Sequence, residues 1–130
     1  MYAIRILFLL PLLLFSCLDD EMAYTVEASP VKADIVALTD VPAGTVAYEG
    51  TFTELNKDDI LDYQVGIIAT PIADLTLEVY SQNQDLLESI TTGQDGKAVI
   101  SLPAASLEGV TRFEWAGTYK GKAFRILTNL

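Results

Sequence analysis

From Val31 onward the chain alternates apolar and polar residues in short runs broken by turn formers, and no run shows a convincing helical period. Glu21 to Pro30 combines a tether with an extended segment around Tyr24 to Ala28. Val31 to Thr39 is rich in β-branched residues and ends at the turn Asp40-Val41-Pro42-Ala43-Gly44. Thr45 to Glu54 alternates, with Val46, Tyr48 and Phe52 on one side and Ala47, Glu49, Thr51 and Thr53 on the other. Polar turn formers occupy Leu55 to Asp62. Alternation then resumes to Thr70, with Tyr63, Val65 and Ile67 set against Gln64, Gly66 and Ile68. Leu75 to Tyr80 predicts a strand with Leu77 and Val79 inward and Glu78 and Tyr80 outward, and Leu86 to Thr92 a weaker one. Asp95-Gly96 tolerates the positive φ of a type I′ turn and predicts a hairpin leading into Ala98 to Leu102. Pro103 to Gly109 reads as a loop with room for one helical turn. A last hairpin about Lys120-Gly121 sets Trp115 opposite Ile126 and Gly117 opposite Phe124.

Seven or eight short strands with turns between them predict an all-β fold, a single small antiparallel β-sandwich over residues 30–130. The first 29 residues differ. Arg5 precedes the apolar run Ile6 to Phe15 and the small residue Ser16, the layout of a secretory signal peptide. That run is shorter than the roughly 20 residues a membrane-spanning helix needs, and Pro11 interrupts it. Leu14-Phe15-Ser16-Cys17 resembles the lipobox of bacterial lipoproteins, with Phe15 standing where a smaller residue is usual. The resemblance implies that the leader 1–16 is removed and that Cys17 becomes the acylated first residue of the mature chain. Lipid anchoring requires a cysteine there because a thiol is the nucleophile that accepts the glyceryl group. Residues 17–29 then form the lipidated cysteine and an acidic tether. Within it, Asp19-Asp20-Glu21 resembles the surface-export signal of Bacteroidota-type lipoproteins. The expected location is the outer membrane, anchored through Cys17, with exposure at the cell surface favoured over the periplasmic face as the alternative.

Composition sharpens this picture. Cys17 is the only cysteine of 130 residues, so no intramolecular disulfide forms, and lipidation accounts for the odd thiol. A net charge of −10 disfavours nucleic acid and anionic lipid headgroups as partners. The charge is uneven: Leu18 to Glu108 holds 17 acidic and 3 basic residues, whereas Arg112, Lys120, Lys122 and Arg125 face Glu114 alone after Thr111. These four cations are the candidate interaction patch, against the plainer reading of a solvated basic strand pair.

The chain has no histidine, which removes Ser-His-Asp and Cys-His catalysis and every His-ligated metal site. Carboxylate hydrolysis remains the unfavoured enzymatic reading, because a small sandwich with short loops offers little cleft in which to raise an acid's pKa. No catalytic, cofactor or metal residue is assigned. Asn56, Asp58, Asp59 and Asp62 share one loop whose spacing does not match an EF-hand, so they read as solvated turn residues before calcium ligands.

Pro71 to Val79, and Thr92 to Leu102 with its pattern Thr92-Gly93-Gln94-Asp95-Gly96-Lys97-Ala98-Val99-Ile100, resemble the core of immunoglobulin-like and transthyretin-like bacterial surface modules. That implies a sandwich rather than an activity. Tyr48-Glu49-Gly50-Thr51-Phe52 and Trp115-Ala116-Gly117-Thr118-Tyr119 each flank a strand glycine with large rings, as packing of aromatics over glycine requires. An aromatic platform for sugar rings is the functional alternative, with Tyr80 the better exposed ring. The expectation is a lipid-anchored, non-catalytic adhesion, assembly or accessory module with a protein partner in the envelope. A small carbohydrate-binding lipoprotein is the alternative.

Overall fold

A computed structural model describes residues 29–130. Cys17, the leader, the acidic tether and the extended segment expected at Tyr24 to Ala28 lie outside the described residues. Eight strands follow: β1 (Lys32–Leu38), β2 (Thr45–Asn56), β3 (Ile68–Pro71), β4 (Thr76–Ser81), β5 (Leu86–Thr91), β6 (Lys97–Pro103), β7 (Arg112–Tyr119) and β8 (Lys122–Asn129). One 3₁₀ turn, Ala104–Leu107, occupies the loop after β6. Among the described residues no helix is long and apolar enough to cross a membrane.

The strands form two antiparallel sheets, as the alternation predicts. One sheet is built on the twelve-residue β2, with β1 on one edge and both β6 and β3 on the other. The second has the order β5-β4-β7-β8. With β1, β2, β4, β5, β6, β7 and β8 taken as A, B, C, C′, E, F and G, the sheets are A-B-E and C′-C-F-G. The strand β3 stands outside this lettering as a fourth member of the sheet built on β2.

The core lies between the sheets. Phe52, Leu77, Val79, Ile100, Phe113 and Trp115 are almost completely sealed from solvent. Phe113 meets Tyr48 edge-on at 5.4 Å, and Phe52 lies tilted on Trp115 at 5.9 Å. The indole N–H of Trp115 donates to Thr128 Oγ1 at 3.2 Å, so the largest buried ring leaves no polar group unmatched. The expected rings-over-glycine packing is present. A Cβ on Gly50 would stand 2.6 Å from the Phe52 ring, and one on Gly117 would stand 2.9 Å from the ring of Phe124 on the facing strand.

The last hairpin has the expected register, Trp115 opposite Ile126 and Gly117 opposite Phe124. Lys120 and Gly121 both take positive φ, 49° and 77°, as a two-residue type I′ turn demands. Ala47 departs in a small way: it sits on the outward parity of β2 yet is buried, flanked by Leu38 on β1 and Ser101 on β6.

Two expectations fail. The alternation from Asp62 to Thr70 forms a strand only at Ile68–Pro71, and Tyr63, Val65 and Ile67 stand exposed in turns. The reason is space on β2. Its second edge is taken by β6 from Thr45 to Thr51, which leaves only Thr53 to Asn56 for another strand. Nor is Asp95-Gly96 a hairpin. Gly96 has φ 73°, as expected, but β5 pairs with β4 in one sheet and β6 pairs with β2 in the other. The turn carries the chain across the sandwich, because each strand's apolar face, not the turn between them, chooses its partner.

The crossover is tied down at one point. Phe52 N–H donates to Gly96 O at 2.8 Å, and Ile72 N–H donates to Phe52 O at 3.0 Å. Thr92 is buried. Its hydroxyl donates to Ile72 O at 2.6 Å and accepts from Leu75 N–H at 2.9 Å, while Asp95 Oδ1 accepts from Lys97 N–H. The Thr92 to Ile100 pattern is therefore a structural clasp.

A Cβ at Gly96 would sit 2.6 Å from Phe52 O, whereas one at Gly121, also at positive φ, meets nothing within 4 Å. Gly121→Ala is therefore expected to cost about 1 kcal/mol, the left-handed penalty alone. Gly96→Ala adds a backbone clash and is expected to cost at least ~3 kcal/mol. Urea unfolding midpoints of the two variants check the difference.

Candidate functional site

The four predicted cations do not form one patch. Arg112 and Arg125 lie on the outer face of the β5-β4-β7-β8 sheet, and Lys120 sits at the β7–β8 turn. Lys122 follows that turn at the start of β8.

Glu114 organises the first group. Phe113 and Trp115 both point into the core, so Glu114 points outward, yet it is only 3% exposed. Arg112 Nη2 reaches its Oε1 at 2.5 Å, and Arg125 Nη1 pairs with its Oε2. Gln84, held at φ 68° in the β4–β5 turn, donates to Glu114 Oε2 at 3.0 Å and accepts from Arg125 at 2.7 Å. The donors of Gln84 and Arg112 hold the Glu114 carboxyl down to about 2. Arg112 Nε is buried and has no hydrogen-bond partner among the described residues.

Beside this cluster a shallow trough of about 720 Å³ crosses β4 and β7, lined by Thr76, Glu78, Tyr80, Ala116, Thr118 and Arg125 among others. Tyr80 is half-buried, as its outward parity allows. Its hydroxyl donates to Glu78, which raises the Tyr80 pKa, and the Arg125 guanidinium lies 5.6 Å from its ring centre. Tyr48, Phe52 and Trp115 belong to the interior, so they offer no sugar platform.

The second group surrounds Glu54 at the far end of β2. Lys120 Nζ meets Glu54 Oε1 at 2.6 Å, and the Tyr119 hydroxyl donates to Oε2 at 2.7 Å. These contacts hold the Glu54 carboxyl below the usual range and raise Tyr119 and Lys120. The pair joins the end of β2 to the β7–β8 turn, bridging the two sheets. A cleft of about 660 Å³ opens here, lined by Ser29, Val31, Lys32, Lys57, Lys120 and Lys122 among others. Lys32 also pairs with Asp34 at 3.0 Å.

The loop between β2 and β3 rises from the same end. Asn56 Oδ1 accepts from Asp58 N–H at 2.8 Å, and Asp62 Oδ1 accepts from Gln64 N–H at 2.9 Å. Those side chains shape the loop's turns. Among the described residues no three His, Cys, Asp or Glu side chains gather as a metal site would require. The loop carries Ile60, Leu61, Tyr63, Val65 and Ile67 on its surface, Leu61 at 97% and Tyr63 at 91% exposed. Alternation disguised these residues as a strand. Adjacent Ile60-Leu61 between turn formers, with Gly66 at φ 63°, is the signal that distinguishes a loop. Glu54 and Glu114 were missed as anchors for cations. A carboxylate set between two buried rings, as in Phe113-Glu114-Trp115, marks an outward ion-pair centre.

No protein-family model matches the chain, and no curated protein or solved structure matches it either.

The Glu114 pKa supplies a pH test. An acid lowered from 4.5 to about 2 stabilises the fold fully above pH 4.5, and that contribution is lost as pH falls toward 2. Glu114→Gln lacks the contribution and leaves two arginines facing each other. The variant is therefore expected to be less stable than the native protein at pH 7, with the gap narrowing as pH drops through 4 to 2. Urea midpoints across that range measure it.

Proposed function

We propose that this protein is a lipid-anchored envelope lipoprotein whose β-sandwich serves as a non-catalytic adhesion, assembly or accessory module at the outer membrane. The observation that carries the anchor is Leu14-Phe15-Ser16-Cys17 after a short apolar leader, with the acidic Asp19-Asp20-Glu21 directly behind it. Cys17 joins the membrane, and the domain presents its surfaces to a protein partner of the envelope.

Several features support a binding rather than a catalytic role. The chain has no histidine. Glu54 and Glu114 are both held below the ordinary carboxylate range, the wrong direction for a general acid. Each is engaged by cations that tie strands together. The Thr92 to Ile100 motif is absorbed by the crossover it clasps. The exposed loops and sheet faces remain for recognition.

Carbohydrate binding is the second reading, and the trough on the outer face of the β5-β4-β7-β8 sheet favours it. Tyr80 stands in it beside Thr76, Thr118 and Arg125, a ring next to hydroxyl and guanidinium donors. Sugar recognition uses that combination of stacking and hydrogen bonding.

Two measurements decide between these readings. Wild-type protein is expected to fractionate with membranes and to yield an acylated N-terminal peptide at Cys17, whereas Cys17→Ala is neither acylated nor cleaved at that site. An unmodified Cys17 in the mature protein removes the anchor. On a glycan array the protein is expected to retain no sugar. Retention abolished by Tyr80→Ala replaces the first reading with the second.

A further inference from the structure

Six of the eleven large apolar side chains exposed among the described residues fall between Ile60 and Ile68. Scattered surface apolar residues need no explanation, but a contiguous group on one projecting loop does. Three features meet at that end of the sandwich. The β2–β3 loop projects beyond Asn56, where β2 ends beside the start of β1. The described chain begins there as well, with Ser29 lining the same cleft as Lys57 and Lys122. The local charge differs from that of the rest of the domain. Lys32, Lys57, Lys120 and Lys122 stand against Glu54, Asp58, Asp59, Asp62 and Asp34, the partner of Lys32, while elsewhere in residues 29–130 three cations face nine carboxylates.

We propose that this end seats on the phospholipid bilayer, with Ile60, Leu61 and Tyr63 inserted into the interfacial region. The proposal rests on the anchor reading above. The eleven residues between Cys17 and Ser29 give twelve Cα steps that reach at most ~40 Å, so this end, rather than its opposite, is the one the anchor delivers first to the lipid. Tethering also raises the effective concentration of the bilayer at the loop, which makes a weak insertion count. Apolar burial at headgroup depth supplies the attraction. The more acidic remainder of the domain is turned away from the membrane, and this end, with four lysines against five carboxylates, carries little net charge to oppose contact. The long lysine stems around the cleft cover apolar surface while their ammonium groups stay at phosphate level. Because phosphatidylcholine carries no net charge and this end is nearly balanced, seating on it is expected to vary little with salt.

Acylation of Cys17 leaves no other thiol, so Leu61→Cys creates a single labelling site on the loop. Leu127→Cys, on the exposed face of β8 and 55% exposed before substitution, is the control at the opposite end. Each lipoprotein is labelled with a polarity-sensitive fluorophore and reconstituted into phosphatidylcholine vesicles containing spin-labelled lipid. The Leu61 probe is expected to be quenched by the lipid label and protected from iodide, at low and at high salt, and the Leu127 probe to show the reverse. Tyr63→Asp in the Leu61→Cys protein is expected to reduce the lipid quenching several-fold, and circular dichroism confirms that the variant is folded. A Leu61 probe open to iodide overturns the proposal. A Leu61 probe shielded from both quenchers overturns it equally, since a second copy or another protein then covers the loop. If mass analysis finds Cys17 unacylated, the anchor reading fails by itself. The same two probes in full-length Cys17→Ser protein added to vesicles then decide the seating.

Discussion

The backbone of Phe52 is where the sandwich is held closed. Its N–H donates to Gly96 O on the β5–β6 crossover, and its C=O accepts from Ile72 N–H on the β3–β4 corner. Its side chain meanwhile fills the core against Trp115. Two of the three segments that carry the chain between sheets are thus bonded to one residue in the middle of β2, the third being the stretch through Ala104–Leu107. Thr92 locks the same corner from the other side through Ile72 and Leu75. Glycine is required at 96 because the backbones approach too closely for a Cβ. With the junction fixed, β6 and β3 share one edge of β2, and the length left for β3 determines where the exposed loop must leave the sheet.

The sequence reveals local geometry well and long-range partnership poorly. The β7–β8 register was readable because a two-residue turn leaves a hairpin little freedom, and Lys120-Gly121 is such a turn. Asp95-Gly96 has equally good turn chemistry, but nothing local to it states that β5 and β6 bury their faces in opposite sheets. Alternation from Tyr63 to Ile68 likewise says which side chains would share a face if a sheet edge were free to receive them. Whether an edge was free depended on β6, thirty residues further along. The core aromatics were legible from parity alone. The cation positions were legible too, but their anions were not. Glu54 lies about sixty residues before Lys120, and Glu114 became an anchor only when the sheet placed Arg125 and Gln84 beside it.

The polar groups fall into two classes. Those between the sheets, such as Thr92 and the Trp115 N–H, are satisfied by backbone and side-chain partners. Those on the surface are largely spent on cross-strand ties, as with Lys97 to Glu49 at 2.9 Å and Lys120 to Glu54. Besides these ties stand two surfaces of different character, a trough of mixed polarity between β4 and β7 and an apolar loop beyond β2. On the function proposed above, one of them suffices for a ligand, which leaves the other to set the orientation.

The antiparallel pairing of β1 with β2 has a mechanical consequence. The seven residues of β1 are bonded to β2 along their full length, starting at the end where the chain arrives from Ser29. A pull on that arriving chain, directed away from the domain, runs along the axis of β1. It loads the whole ladder in shear, so the rungs must fail together instead of opening one at a time. A strand drawn along its axis in this way holds better than one pulled across the sheet, where the rungs would open in turn.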